Sequence, residues 1–280
     1  MKGSPHALDL SAFGSSRTEL SCGTILRCAN CSLAFTETRP SAEQLQGLYR
    51  NMDTAVYESE TAGRVRTAQR HLKILHRYAA GPGRLLDVGC ASGRFLDACA
   101  RAGWSAVGIE PSEMLSAQAR QLLAGRATVL AATLQDAALD RASFDAVTMW
   151  DVLEHVTDPA QFFQTALSLV KPGGLIAANV PNLDSLPARV LGRRWPLLLP
   201  EHLNYFNPAS LRTFGRHGDV TLEELGVRPV NFTLGYVFHR VSQHAPQLSG
   251  LSARVSRSGL RNRVVPVWMG ELYAIWRKAN

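Results

Sequence analysis

The sequence predicts an α/β domain built on an open, mostly parallel sheet. Three observations carry that reading. Leu85, Leu86 and Val88 form a short apolar run suited to a buried parallel strand, and Phe95, Leu96, Ala98 and Cys99 then repeat at helical spacing. Between them Gly89-Cys-Ala-Ser-Gly93 is a turn of small residues, in a unit whose backbone amides and helix N-terminus face a ligand in open α/β sheets. Apolar strands and amphipathic helices then alternate to about residue 180.

Ahead of this unit the chain is less regular. Residues 1–20 are rich in Ser, Gly and small side chains, a composition expected to order poorly. Cys28-Ala-Asn-Cys31 is a C-x-x-C knuckle. A structural zinc needs four ligands, and the neighbouring donors His6 and Cys22 have no supporting spacing. No bound zinc is therefore expected, and Cys28 and Cys31 are read as small buried thiols. Ser41 and Glu43 to Tyr49 read as a short capped helix and Thr54 to Glu60 as a polar connection. Gly63 to Ala79 follows helical periodicity, with Val65, Leu72, Leu75 and Tyr78 on one face and arginines opposite. We place an appendage at 1–60 and the main domain at 61–280.

Asp87 ends the first strand of the main domain, at the rim of the crevice. A dinucleotide fingerprint G-x-G-x-x-G starting at Gly89 fails at Ala91 and Arg94. The second strand, Trp104 to Ile109, ends in Glu110, placed to accept both hydroxyls of a ribose. Ser112 caps a helix through Leu123, Thr128 to Ala131 is a third strand, and a short helix is expected through Leu139. Ser143 to Trp150 is the fourth strand. Asp151-Val-Leu-Glu-His155-Val follows, with Asp151 and Glu154 spaced as a capping box that would open a helix. Pro159 to Val170 is a helix closed by Lys171-Pro-Gly-Gly174, and Leu175 to Val180 is the fifth strand. Asn207 caps a helix beginning at Pro208 and running to about Arg216. Val227 to Leu234 reads as a sixth strand, His239 to Arg263 as a segment with a mobile loop, and Val267 to Trp276 as the last strand.

The spacing Asp87-x-Gly89-x-Ala91-x-Gly93 resembles motif I of the class I S-adenosylmethionine (SAM) dependent methyltransferases, with Ala91 in place of the middle glycine. The phrase Asp151-Val-Leu-Glu-His-Val156 and the Lys171-Pro-Gly-Gly174 turn also resemble features of that family, so the likeness covers about residues 84–180. The resemblance implies a Rossmann-like, seven-stranded, mostly parallel sheet. Its last strand would be antiparallel, between strands five and six, with helices on both faces. It further implies that SAM is the cofactor and S-adenosylhomocysteine the product, held by Asp87, Gly89, Ala91, Gly93, Glu110, Leu134, Gln135 (or Asp136) and Trp150. Tyr49, Tyr57 and Arg64 to Arg70 would lie where family members cap the SAM pocket. The knuckle resembles half of the zinc ribbon that related enzymes carry, in degenerate form. The insert at about 181–216 contains Glu201-His-Leu-Asn-Tyr-Phe206, which the resemblance lays across the substrate side. His155, His202 and Glu201 are accordingly the candidates for acceptor chemistry, with no metal among the site residues.

Methyl transfer asks little of the protein beyond alignment, because the sulfonium is already a good leaving group. The sequence therefore speaks to the cofactor more than to the acceptor. We expect a small-molecule acceptor, such as a hydroxyl of a specialised metabolite, sugar or quinone-like ring. The net charge of +7 raises a rival, an RNA methyltransferase or nucleic-acid-binding protein. The basic residues are scattered arginines rather than a stripe, so no nucleic-acid partner is expected. A second rival binds SAM without catalysis. No run of 18 apolar residues and no signal-peptide core occurs, so no membrane association and a cytoplasmic setting are expected. The odd count of five cysteines points to reduced thiols.

Overall fold

The computed structural model describes residues 24–40, 60–215, 219–244, 247 and 249–280. Tyr49, Tyr57, His6, Cys22 and the helix read at Glu43 to Tyr49 lie outside these residues.

Seven strands form one sheet: β3 (Arg84–Val88), β4 (Ser105–Ile109), β5 (Thr128–Leu130), β6 (Phe144–Trp150), β7 (Val170–Pro181), β9 (Val220–Thr233) and β10 (Val264–Lys278). Their order is β5-β4-β3-β6-β7-β10-β9. β3, β4, β5, β6 and β7 pair in parallel, and β10 runs antiparallel to both β7 and β9. This is the sheet that the resemblance implies, with the final strand returned between the fifth and sixth. The order reverses at β3, and a crevice opens beyond the carboxyl ends of the parallel strands at such a switch point.

Both faces of the sheet are covered. Helices α1 (Thr61–Leu75) and α2 (Arg94–Arg101) lie on one side, where Ala68, Leu75, Leu96 and Cys99 pack on Leu85, Ala146, Ala177 and Ile275. α4 (Pro159–Leu169) and α6 (Pro208–Phe214) cover the other, with Phe163, Ala166, Leu211 and Phe214 against Val147, Ile176, Ala178 and Trp276. Each fully buried Leu or Phe contributes about 1.5–3 kcal/mol relative to exposure, so this double layer fixes the strand ends that carry the site. α3 (Glu113–Leu123) is capped by Ser112, whose hydroxyl accepts from the Leu115 amide. Asn207 and Ser210 form a reciprocal capping box on α6.

Several expectations are corrected. The segment from Asp151 to Val156 is a turn, not a helix. The helix starts only at Pro159, where the Asp158 carboxylate accepts from the Gln161 amide and proline needs no partner for its missing N–H. Residues 132–139 likewise form turns rather than a short helix. The helix read as Gly63 to Ala79 spans Thr61–Leu75 and buries Gly63, Ala68, His71, Ile74 and Leu75, so of the face read from Val65, Leu72, Leu75 and Tyr78 only Leu75 is fully buried. The segment read as including a mobile loop carries α7 (Leu234–His244), α8 (Ser249–Ser256) and a 3-10 turn at Gly259–Asn262, and residues 245, 246 and 248 between the two helices lie outside the described residues. Its Ser and Arg content reflects solvated helix faces. The sixth strand begins earlier, at Val220, and the fifth runs through the turn glycines from Val170.

A second, three-stranded sheet has the order β1-β2-β8, from β1 (Ile25–Arg27), β2 (Ala34–Thr36) and β8 (Asn204–Tyr205). Cys28 and Cys31 sit at the β1–β2 turn and are half-buried rather than buried. Amide N–H groups of Cys31 and Asn30 hold the Cys28 thiol below its ordinary value. β8 belongs to the insert, which also carries α5 (Leu186–Leu191). Arg27 pairs with Asp184 at 2.7 Å, and the Asn207 amide reaches both Ser32 O and Asp184. Among the described residues no helix is long and apolar enough to cross a membrane.

Candidate active site

The parallel register sets Val88 beside Ile109, so the turn after β3 and the acid after β4 meet. Gly89 and Cys90 both donate their amides to Ile109 O, at 2.8 and 3.0 Å. Glu110 bridges the two elements: Oε2 accepts from Ala91 N at 3.0 Å and Oε1 from Ser112 N at 2.8 Å. Burial raises the Glu110 pKa, and these two amides oppose the rise. Gly89, Ala91 and Gly93 have φ of +72°, +47° and +77°, so the turn alternates through left-handed backbone. A Cβ on Gly93 would lie 3.0 Å from the Ala119 Cβ, which closes that position to side chains. Asp87 is 3% exposed and accepts from the Thr148 hydroxyl at 2.7 Å. Burial pushes its pKa up to about 7 against that hydrogen bond. Asp87, Gly89, Ala91, Gly93 and Glu110 are thus one connected rim. Leu134 is buried in the core cluster that also holds Val88 and Ile109, whereas Gln135 is exposed. Trp150 packs its ring on His71 (centroids 4.0 Å apart) and on Phe95 (5.5 Å).

The two histidines taken from separate segments come together. The rings of His155 and His202 lie 4.8 Å apart, edge to face. Nδ1 of His155 is 3.0 Å from Glu201 O, and Nδ1 of His202 is 2.9 Å from Leu197 O. A carbonyl only accepts, so each Nδ1 carries the proton and each Nε2 the lone pair. Burial lowers both pKa values, His155 to about 4, so both rings are neutral near pH 7. Ligand atoms of Glu154, His155 and His202 all lie within 4.8 Å of one another, a set that can hold a proton or a cation. Glu154 is buried, its pKa is raised well above the ordinary carboxyl range by burial first and Asp151 second, and its Oε2 has no hydrogen-bond partner among the described residues. Glu201 contributes its backbone oxygen to His155. Its own Oε2 also has no hydrogen-bond partner among the described residues, and burial raises its pKa. The Glu154 carbonyl accepts from both Leu203 N and Asn204 N, which ties the turn after β6 to the insert.

Four residues that sequence reasoning did not select lie beyond Trp150. Asp151 has φ of +58°, a left-handed strain for a residue with a Cβ. It carries accessible surface while being enclosed by protein, as a residue lining a concave crevice does. The Asn179 amide donates to Asp151 at 2.5 Å and to Glu271 at 3.3 Å. Arg228, paired across strands with Glu271, is 4% exposed. Asn179, Arg228 and Glu271 had no local signal, because β7, β9 and β10 each contribute one. Asp151 had one, a carboxylate closing a strand at the crevice, and the capping-box pattern explained it away.

The family profile described as "Methyltransferase domain" matches residues 62–222. Curated relatives include the ubiquinone biosynthesis O-methyltransferase of Alkalilimnicola ehrlichii, 32% identical over 190 residues, which are 60% of this chain and 76% of that protein. The protein of the same name from Xanthomonas axonopodis pv. citri is 31% identical over 153 residues, 51% of this chain and 64% of its own length. The matched region therefore covers less than two thirds of some of these relatives. Among solved structures, the Burkholderia thailandensis 1,6-didemethyltoxoflavin-N1-methyltransferase, with its substrate and S-adenosylhomocysteine bound, superposes with a TM-score of 0.57. It is 15% identical and covers 90% of this chain and 97% of its own, which establishes the fold. The [4+2]-cyclase SpnF shares that fold with a TM-score of 0.53 at 20% identity, over 76% of this chain and 82% of its own. With the family profile covering more than half of the chain, and with the strand order and glycine turn in place, this protein belongs to the class I SAM-dependent methyltransferases.

Proposed function

We propose that this protein moves the methyl group of SAM to a hydroxyl of a small, quinone-like aromatic acceptor. The observation that carries the reading is the division of one crevice into two halves. The hydrogen-bonded rim of Asp87, Gly89, Ala91, Gly93 and Glu110 suits the nucleoside of SAM. The enclosed polar groups after β6 and in the insert suit a polar acceptor. The ubiquinone biosynthesis O-methyltransferase relatives support an aromatic hydroxyl as the acceptor.

On this reading Glu110 accepts the ribose hydroxyls and the turn amides meet the amino-acid end of the cofactor. The sulfonium supplies the methyl group and the leaving group. The chain's own groups align the acceptor oxygen with the carbon–sulfur bond and exclude water. Nε2 of His155 or His202 takes the hydroxyl proton, with Glu201 holding the His155 ring through its carbonyl. The test is incubation of the full-length protein with radiolabelled SAM and a panel of dihydroxyarenes, hydroxybenzoates, ribonucleic acid and sugars. Label on an aromatic hydroxyl supports the reading, label on RNA overturns it, and SAM binding without transfer to any acceptor favours a non-catalytic role.

A further inference from the structure

Arg228 is the most conspicuous buried charge that this chemistry leaves unused. It is 4% exposed, and neither Nη1 nor Nη2 has a hydrogen-bond partner among the described residues. Its guanidinium carbon lies 5.0 Å from the centre of the Trp150 ring and 5.3 Å from that of Tyr273. Two aromatic rings fix the cation and satisfy none of its N–H donors, which lie in the plane of the fork. A guanidinium kept from water without acceptors is costly, and a partner that accepts two hydrogen bonds repays that cost.

The surroundings define the partner. Burial lowers the Arg228 pKa to about 10 and the nearby Glu271 and Asp151 oppose the fall, so the group is a cation at neutral pH. Glu271 stands opposite on β10, and burial pushes its pKa up to about 8. Asp151 is held by the Asn179 amide at the end of β6. All of these groups sit at the carboxyl end of the parallel strands, over β6, β7, β10 and β9. The cofactor rim lies over β3 and β4, on the other side of β6. A ligand that reaches both Asp151 and Arg228 places a hydroxyl on the carboxylate and an anionic oxygen on the guanidinium.

We infer that Arg228 is the specificity-determining anchor of the acceptor half, and that the acceptor is a hydroxyaryl acid whose carboxylate it binds. This deepens the O-methyl transfer reading and rests on it for the word acceptor. Its test reads binding rather than turnover, so the two fail separately.

The experiment is calorimetry on the full-length protein saturated with S-adenosylhomocysteine. The probes are matched pairs, 3,4-dihydroxybenzoate with 3,4-dihydroxybenzamide and caffeate with its amide. The wild type should bind at least one acid roughly tenfold or more tightly than its amide, the scale of a charge-assisted pair. Arg228→Met should erase that preference, and Arg228→Lys should keep part of it. Both variants should bind S-adenosylhomocysteine within about twofold of wild type, which also reports that they fold. Equal binding of acid and amide by the wild type, no binding of either acid, or a preference that survives in Arg228→Met overturns the inference. The amino-acid end of the cofactor is the other source of a carboxylate. If Arg228→Met weakens S-adenosylhomocysteine but not its decarboxylated analogue, the carboxylate is the cofactor's and the acceptor assignment is wrong.

Discussion

A carboxylate enclosed as fully as Asp87 is expensive to ionise, and its one hydroxyl partner on Thr148 does not offset the loss of water. With a folded pKa near 7 against an ordinary 3.8, the folded protein holds this proton more tightly than the unfolded chain does. The associated stability is complete below pH 3.8 and drains away as pH rises towards 7. At about 1.4 kcal/mol per unit, the loss is at most about 4 kcal/mol. Thermal melts across that window should fall more steeply for wild type than for Asp87→Asn, and parallel curves would refute the assignment. Glu110 makes a complementary prediction. Glu110→Ala removes a charged acceptor and should weaken S-adenosylhomocysteine by about ten- to a hundredfold, or about 1.5–3 kcal/mol, in calorimetry. At the other end of the crevice, His155→Ala and His202→Ala are expected to lower turnover of the hydroxyl acceptor while leaving S-adenosylhomocysteine affinity nearly unchanged. If one ring is the base, its variant loses roughly 10²–10⁴ in rate. A pKa held near 4 makes His155 a weak base, so the larger loss should come at low pH only if the acceptor hydroxyl is itself acidic.

At the scale of elements, the turn after β3 carries a cost that its sequence shows. Ala91 stands where the family pattern has glycine, and the structure keeps it at φ +47°. A left-handed alanine costs about 1–2 kcal/mol, and a glycine there loses about 0.5–1 kcal/mol in chain entropy. Ala91→Gly should therefore be neutral or stabilise the fold by up to about 1.5 kcal/mol in urea unfolding. The strands were legible for a related reason. β3, β4 and β6 are short apolar runs bounded by turn residues, and their burial on both faces follows from parallel pairing. The turn at Asp151 was not legible. Its Asp–Glu spacing satisfies a capping box equally well, and only the Asn179 contact and the insert's grip on the Glu154 carbonyl select the turn. His155 is legible from its motif and His202 from the insert that carries it. Arg228, Asn179 and Glu271 come from strands far apart in the chain, and no local period announces a cluster that tertiary pairing assembles.

Across the whole molecule, the crevice depends on segments from both ends of the sequence. β10 is the last strand yet lies inside the sheet between β7 and β9, and α1 precedes the first strand of that sheet yet packs on β9 through Arg70, which donates to Pro229 O and Asn231. The hairpin of β1 and β2 makes a similar long-range contact, because β2 pairs with β8 two residues after His202. Removing residues 1–40 should therefore lower acceptor turnover by more than it lowers S-adenosylhomocysteine affinity, as steady-state rates beside calorimetry would show. Equal losses would mean that the hairpin supports the domain rather than the insert. The shared three-stranded sheet also constrains how such a protein can be recombined. An insert moved from a relative to change acceptor preference would arrive without the strand that β8 completes, so hairpin and insert must be exchanged as a pair, as two halves of one cassette separated in the chain by strands β3 to β7.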